Sequence, residues 1–167
     1  MAKQKKLKKT NEERYLDQHG VAYTEKNFDW VGRGQVALED AAAVGVAAKS
    51  ILKTIVLQAN NDPHDYLVVC LPVEDEIDLK TVARELGKKQ LHLADAKRLV
   101  NITGYVHGAN TPIGIHANKG FPIYFDERIQ EFSEISVSAG KLGRSVRVNR
   151  EALVTLVEGQ YIHVVRG

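Results

Sequence analysis

The chain has 167 residues, a length that suits one domain with a sizeable core. Its 44% hydrophobic and 26% charged residues are ordinary for a globular protein, and a formal net charge of +2 is too small to imply a nucleic-acid partner by itself. No apolar run approaches membrane-spanning length, and the single cysteine, Cys70, excludes an internal disulfide and fits a reducing cytoplasm.

Positive charge is concentrated at the start, where Lys3, Lys5, Lys6, Lys8 and Lys9 crowd the first ten residues. No apolar core follows them, so the pattern is not that of a secretory signal. Residues 1–9 read as a flexible basic arm, either attracting phosphates or simply solubilising the terminus. Thr10 and Glu13 fit a capping box that opens a short helix, with Tyr15 and Leu16 as its buried face and Gly20 as its stop. Val21 to Glu25 reads as a strand. Asn27 to Gln35 is loop-like, and its Phe28 and Trp30 are either lids over a pocket or a satellite cluster beneath the loop. The alanine-rich stretch Glu39 to Val46 predicts a short helix that can approach a neighbour closely.

Ser50 to Leu57 has the β-branched and aliphatic composition of a buried strand, yet Lys53 stands in its middle, followed by Thr54. An unpaired buried ammonium costs several kcal/mol, so Lys53 must snorkel out, find a partner or face a cavity. It is either an edge-strand guard against aggregation or a functional amine. Asn60 to Pro63 is a turn signal, and Tyr66 to Pro72 is a second apolar run, so the two runs predict a hairpin in the core of a sheet. Leu79, Val82, Ala83 and Leu86 share one helical face in a helix that begins at Asp78 and is ended by Gly87. Leu91 to Leu93 is a brief strand, and Asp95 to Val100 is helical.

The stretch Gly104 to Gly114 is dense in glycine, small residues and proline, although it lies mid-domain. It predicts a loop, either a long connection or a segment shaped for close approach to a ligand. Phe121 to Phe125 and Ile135 to Ser138 read as strands, and Ser138 to Gly143 as a second small-residue loop. Ser145 to Val148 is a strand, Asn149 caps a helix through Val157, and Tyr161 to Val165 is a terminal strand.

Familiar catalytic patterns are missing: no C-x-x-C pair, H-E-x-x-H, P-loop, G-x-G-x-x-G after a strand or G-x-S-x-G elbow is present. The six histidines are not spaced as metal ligands, and Cys70 sits in an apolar strand where inert burial is expected. Neither a metal nor a cofactor is expected.

What remains is a strand lysine and two small-residue segments: Leu52-Lys53-Thr54-Ile55-Val56, Gly104-Tyr105 with Gly108 through Gly114, and Val137-Ser138-Ala139-Gly140 with Gly143. In this order and at these separations the chain resembles the YbaK/EbsC family of aminoacyl-tRNA deacylases, related to the editing domain inserted in bacterial prolyl-tRNA synthetases. The resemblance runs from about Gly20 to the C-terminus, and its wording is closest to the EbsC-like branch. It implies an α+β fold, a curved, mostly antiparallel mixed sheet surrounded by helices, in a single editing domain over residues 10–167. It implies trans-editing: hydrolytic removal of a small mischarged amino acid, of the Cys-tRNA(Pro) type, from the tRNA 3′ end, with prolyl-tRNA synthetase as a candidate partner. The alternative is a noncatalytic aminoacyl-tRNA-binding, synthetase-binding or regulatory module of the same fold.

By the same resemblance, Lys53 matches the family's essential lysine. Thr54, Gly108, Ala109, Asn110, Thr111, Pro112, Ser138, Ala139 and Gly140 fall in pocket-shaping segments, and Phe28 falls where relatives place an aromatic residue. Many members carry Gly-Gly-Ile-Ser-Pro where this chain has Gly108-Ala109-Asn110-Thr111-Pro112. The Ala109 methyl and the Asn110 amide would alter amino-acid preference if they line the pocket.

Overall fold

The computed structural model describes residues 8–27 and 45–167. Among these are five α-helices: α1 (Asn11–Gln18), α2 (Leu79–Leu86), α3 (Leu99–Thr103), α4 (Pro112–Lys119) and α5 (Arg150–Leu156). The strands are β1 (Tyr23–Asn27), β2 (Leu52–Ala59), β3 (Tyr66–Pro72), β4 (Leu91–Leu93), β5 (Ile123–Asp126), β6 (Glu134–Lys141), β7 (Arg144–Asn149) and β8 (Gln160–Ile162). Phe28, Trp30, residues 39–44 of the alanine-rich stretch, and Lys3, Lys5 and Lys6 lie outside the described residues.

The α+β expectation holds, and its single curved sheet resolves into two. A five-stranded sheet has the order β4-β2-β3-β5-β8, antiparallel through β2 and β3 and parallel where β5 joins β3 and β8. A three-stranded antiparallel sheet has the order β1-β7-β6. The two meet at an isolated parallel bridge between Ile51 and Ser136.

Both faces of the larger sheet are covered. On one face, Leu52, Val56, Val68 and Cys70 pack against Val137 and Ala139 of β6 and Ile113 of α4. On the other, Leu57, Leu67, Val69 and Leu71 pack against Val82 and Ala83 of α2. Every residue of β3 is therefore buried, which is why its sequence is an unbroken apolar run rather than an alternation.

The β2–β3 hairpin forms as the turn signal predicts, with Asn60 and Asn61 both at φ 55°. The capping box at α1 is present in both directions, and Gly87 closes α2 in the left-handed conformation. Asn149 accepts from the Ala152 N–H and starts α5. The strand expected from Tyr161 to Val165 is shorter and lies at Gln160–Ile162.

Two expectations fail. Gly104 to Gly114 is not one loop, because α4 begins inside it. Thr111 caps that helix by accepting from the Ile113 N–H at 3.2 Å, and Pro112 occupies the first turn, where it has no N–H to waste. Ser138 to Gly140 is not a loop either. It belongs to β6, which carries a bulge between Ser138 and Lys141, and only Leu142 and Gly143 turn the chain into β7.

Candidate active site

Lys53 lies in the half of β2 nearest the smaller sheet. β4 pairs only with Leu57 to Ala59, so on that edge Lys53 and Thr54 have no strand partner among the described residues. Side chains alternate along a strand, and bridged parallel residues point to the same side. From the Ile51–Ser136 bridge, two steps along each strand lead to Lys53 and Ser138. Both lie on the side opposite Leu52, Val137 and Ala139, which face the core. Lys53 is half-buried, and burial pushes its amine below the ordinary lysine range, while the Glu76 and Asp75 carboxylates pull it back up. Asp75 is itself engaged by Lys49 at 2.6 Å and Arg128 at 2.9 Å.

Thr54 goes the other way. It faces Cys70 across the hairpin, with its hydroxyl 3.8 Å from the sulfur. It therefore contributes to the core rather than to Lys53's face. Cys70 is completely buried, and burial raises its thiol to about 12, which makes it the inert residue the sequence implies.

The two small-residue segments meet. Ser138 Oγ donates to the Ala109 carbonyl at 3.1 Å and accepts from the Gly140 N–H at 3.1 Å. Its hydroxyl is thus committed to joining the β6 bulge to the segment before α4. Gly108, at φ 90°, turns the chain just before this clip. Asn110 is buried, and its Oδ1 accepts from the Thr103 hydroxyl at 2.8 Å, while Thr103 also accepts from the Tyr105 N–H. Thr111 and Pro112 are buried as the cap and first turn of α4, and the Ala139 methyl is in the core. Of the sequence-selected set, Lys53, Gly108, Ala109, Ser138 and Gly140 thus belong to or border one face through backbone or side chain. Asn110, Thr111 and Pro112 hold the segment's shape, and Thr54 and Ala139 point into the core.

Contacts not anticipated from sequence lock this arrangement from outside. Glu12 of α1 is buried and accepts a hydrogen bond from the Tyr105 hydroxyl. It lies against Gly140 and Gly114, and a Cβ at either glycine would collide with the Glu12 carboxylate or the Tyr105 ring. Burial and the Glu12 carboxylate both push the Tyr105 phenol well above its ordinary range. Beside it, the fully buried Glu13 takes two hydrogen bonds from Arg144, at 2.8 and 2.9 Å. Arg144 also reaches Asn27 at 2.9 Å and Glu25 at 2.8 Å. Glu12 and Tyr105 are 93 residues apart, and Glu13 and Arg144 are 131 apart, so no local pattern could announce either pair.

The family model for the aminoacyl-tRNA editing domain matches residues 35–156. The chain belongs to that family. It is 37% identical, over 98% of both chains, to EbsC of Enterococcus faecalis, named as a candidate Cys-tRNA(Pro)/Cys-tRNA(Cys) deacylase. It is 26% identical to the multifunctional Ser/Thr-tRNA deacylase ProXp-y of Escherichia coli, over 78% of this chain and 77% of that one. The fold is shared with the crystal structure of a candidate trans-editing enzyme for prolyl-tRNA synthetase. That likeness has a TM-score of 0.73 at 22% identity and covers 91% of this chain and 92% of the other. Helix α1 lies outside the matched family region, yet it supplies Glu12 and Glu13.

Proposed function

We propose that this editing-domain protein is a trans-acting aminoacyl-tRNA deacylase that clears a small misattached amino acid, cysteine on tRNA(Pro) foremost, with Lys53 as its catalytic group. The observation that carries the reading is the shared side of Lys53 and Ser138, whose hydroxyl clips the two small-residue segments together. The names of the relatives support the reaction class, and the similarity to EbsC along nearly the whole chain supports cysteine as the amino acid.

An aminoacyl ester is already activated, so its cleavage needs positioning and charge stabilisation more than a strong protein nucleophile. The Lys53 ammonium would hold the ester end of the substrate and offset negative charge that develops on the carbonyl oxygen. Backbone N–H groups of the clipped segments would add donors. The attacking group is water or part of the substrate itself, either the vicinal ribose hydroxyl or the cysteinyl thiol. In thiol attack the sulfur bonds to its own carbonyl carbon and the ester C–O bond breaks. The ribose oxygen takes up the proton, and a cyclic thiolactone leaves. That outcome would make the protein lyase-like rather than a simple hydrolase.

Selectivity would rest on pocket size. One methylene is worth only about 1–3 kcal/mol of discrimination, so larger amino acids must be refused by a steric wall. The Ala109 methyl is buried, and its backbone is fixed by Ser138, so it would narrow the pocket rather than yield to a larger group. Residues 10–167 would act as the editing domain, with residues 1–9 as a basic arm and Phe28 as a substrate-binding residue. Prolyl-tRNA synthetase would be a partner. No helix among the described residues is long and apolar enough to cross a membrane, and the proposed site of action is the cytoplasm, where tRNA is charged.

The test is a deacylation panel of Cys-, Ala- and Ser-charged tRNA(Pro) with Cys-tRNA(Cys). Wild type should clear Cys-tRNA(Pro) fastest. Lys53→Ala should slow turnover by about a hundredfold or more, the scale of losing one preorganised charge donor, while keeping the same thermal unfolding. Undiminished turnover removes Lys53 from the mechanism. Tight binding of charged tRNA by wild type, without turnover, would establish a noncatalytic module instead.

A further inference from the structure

An open cleft of about 560 Å³ lies on the α1 side of the molecule. Five cationic side chains line it: Lys8, Lys9 and Arg14 around α1, Lys119 at the end of α4 and Lys141 at the end of β6. The lining contains one acid, Glu12, which is buried and already bonded to Tyr105. Lys9 is taken by Asp17 at 2.6 Å. Lys8, Lys119 and Lys141 form no salt bridge among the described residues. The whole chain carries 23 cationic side chains against 21 acidic ones, so five against one in a single cleft is a local excess, not a reflection of overall charge.

The location gives this excess meaning. Gly104 and Tyr105 form one wall, and Gly140 and Lys141 form part of another. These are the outer ends of the two segments that the Ser138–Ala109 bond joins at their inner ends. Gly140 is two residues from Ser138, at most about 7 Å along the strand. A nucleic-acid strand whose terminal ribose sits at the clipped segments can lead its next phosphates away over these walls. The cleft wall offers lysines and the exposed Gly104 backbone, and it has no free carboxylate to repel phosphate.

We infer that this cleft is a phosphate-binding track for the single-stranded 3′ end of tRNA, with Lys8, Arg14, Lys119 and Lys141 as its backbone contacts. The inference rests on the deacylase reading for its ligand but not for its test. Uncharged tRNA is titrated by fluorescence anisotropy across a salt series against three proteins: wild type, Lys119→Gln/Lys141→Gln, and Lys89→Gln/Lys97→Gln. The last pair makes the same charge change at exposed lysines outside the cleft. The cleft pair should weaken binding about tenfold near 100 mM salt and lower the slope of log affinity against log salt by about 1.4–1.8, since each phosphate contact contributes about 0.7–0.9. The control pair should leave the slope near that of wild type.

Equal slopes in all three proteins, or an equal loss in both variants, would overturn the track. Should wild type bind tRNA through the cleft yet clear no charged tRNA in the panel, the track stands and the deacylase reading falls. Deacylation by a wild type whose salt slope does not depend on the cleft lysines would instead remove the track and leave the deacylase standing.

Discussion

The β2–β3 hairpin and the α1 corner hold the same site by opposite means. The hairpin does it with hydrocarbon: β3 is buried at every residue, and one face of the pair packs on α2 through Leu57, Leu67, Val69 and Leu71. The corner does it with charge: Arg144 donates to both Glu13 and Glu25, and the Tyr105 hydroxyl donates to Glu12. Apolar burial is non-directional and indifferent to pH. Buried ion pairs are directional and titratable, and they fail steeply when one partner is lost. The lysine is carried by the hairpin, whereas the small-residue segments are held in place partly by the corner. The site can therefore lose its segments while its lysine stays where it is.

The largest expected stability effect is in the corner. Arg144→Met strands Glu13 in the interior and should cost about 3–5 kcal/mol. Chemical denaturation measures this, and a loss below about 1 kcal/mol would mean that the pair is not desolvated as described. The corner should also be acid-sensitive. Burial by itself raises the Glu13 carboxyl, but Arg144 and the Thr10 N–H outweigh it, so the folded value lies below the unfolded one of ~4.3. Stability from this group is complete above ~4.3 and disappears as pH falls through the lower folded value. Glu13→Gln should flatten that part of the stability–pH curve.

Next comes the hairpin. Leu67→Ala removes a side chain that is 1% exposed and should cost about 2–5 kcal/mol. The cost should be the same at pH 5 and pH 8. A strongly pH-dependent cost would erase the contrast between the two regions.

The smallest effect is at the contact between them. Tyr105→Phe removes the hydroxyl that holds Glu12 and should cost about 1–3 kcal/mol, because a buried carboxylate loses a donor. Deacylation should fall more than stability does, since Glu12 lies against Gly114 and Gly140. Proportionate loss of both would make the contact structural only.

Much of this molecule is local in origin and is legible for that reason. The Thr10–Glu13 box, the asparagine turn, the Gly87 stop and the Asn149 cap each depend on residues a few positions apart. The apolar run Tyr66 to Pro72 marks a doubly covered strand, because only such a strand can do without polar residues. Helix α4 escapes a reading by composition although its signal is present: Thr111-Pro112 is a cap followed by a first-turn proline, masked by the glycines around it. The lysine and the two segments stand out as a set, and the family resemblance assigns every member to a pocket. Strand alternation and the β6 bulge instead send Thr54 and Ala139 into the core and commit the Ser138 hydroxyl to the Ala109 carbonyl.

The sequence by itself determined the hairpin, the capped helices and the apolar runs, since these follow from spacing and side-chain type, and it carried the family resemblance. Only the tertiary structure decided that two glutamates of α1 pin the site, that Arg144 neutralises one of them, and that five cations from three parts of the chain share one cleft. These are meetings between residues as much as 131 positions apart, brought together by sheet pairing and helix docking rather than by any local code.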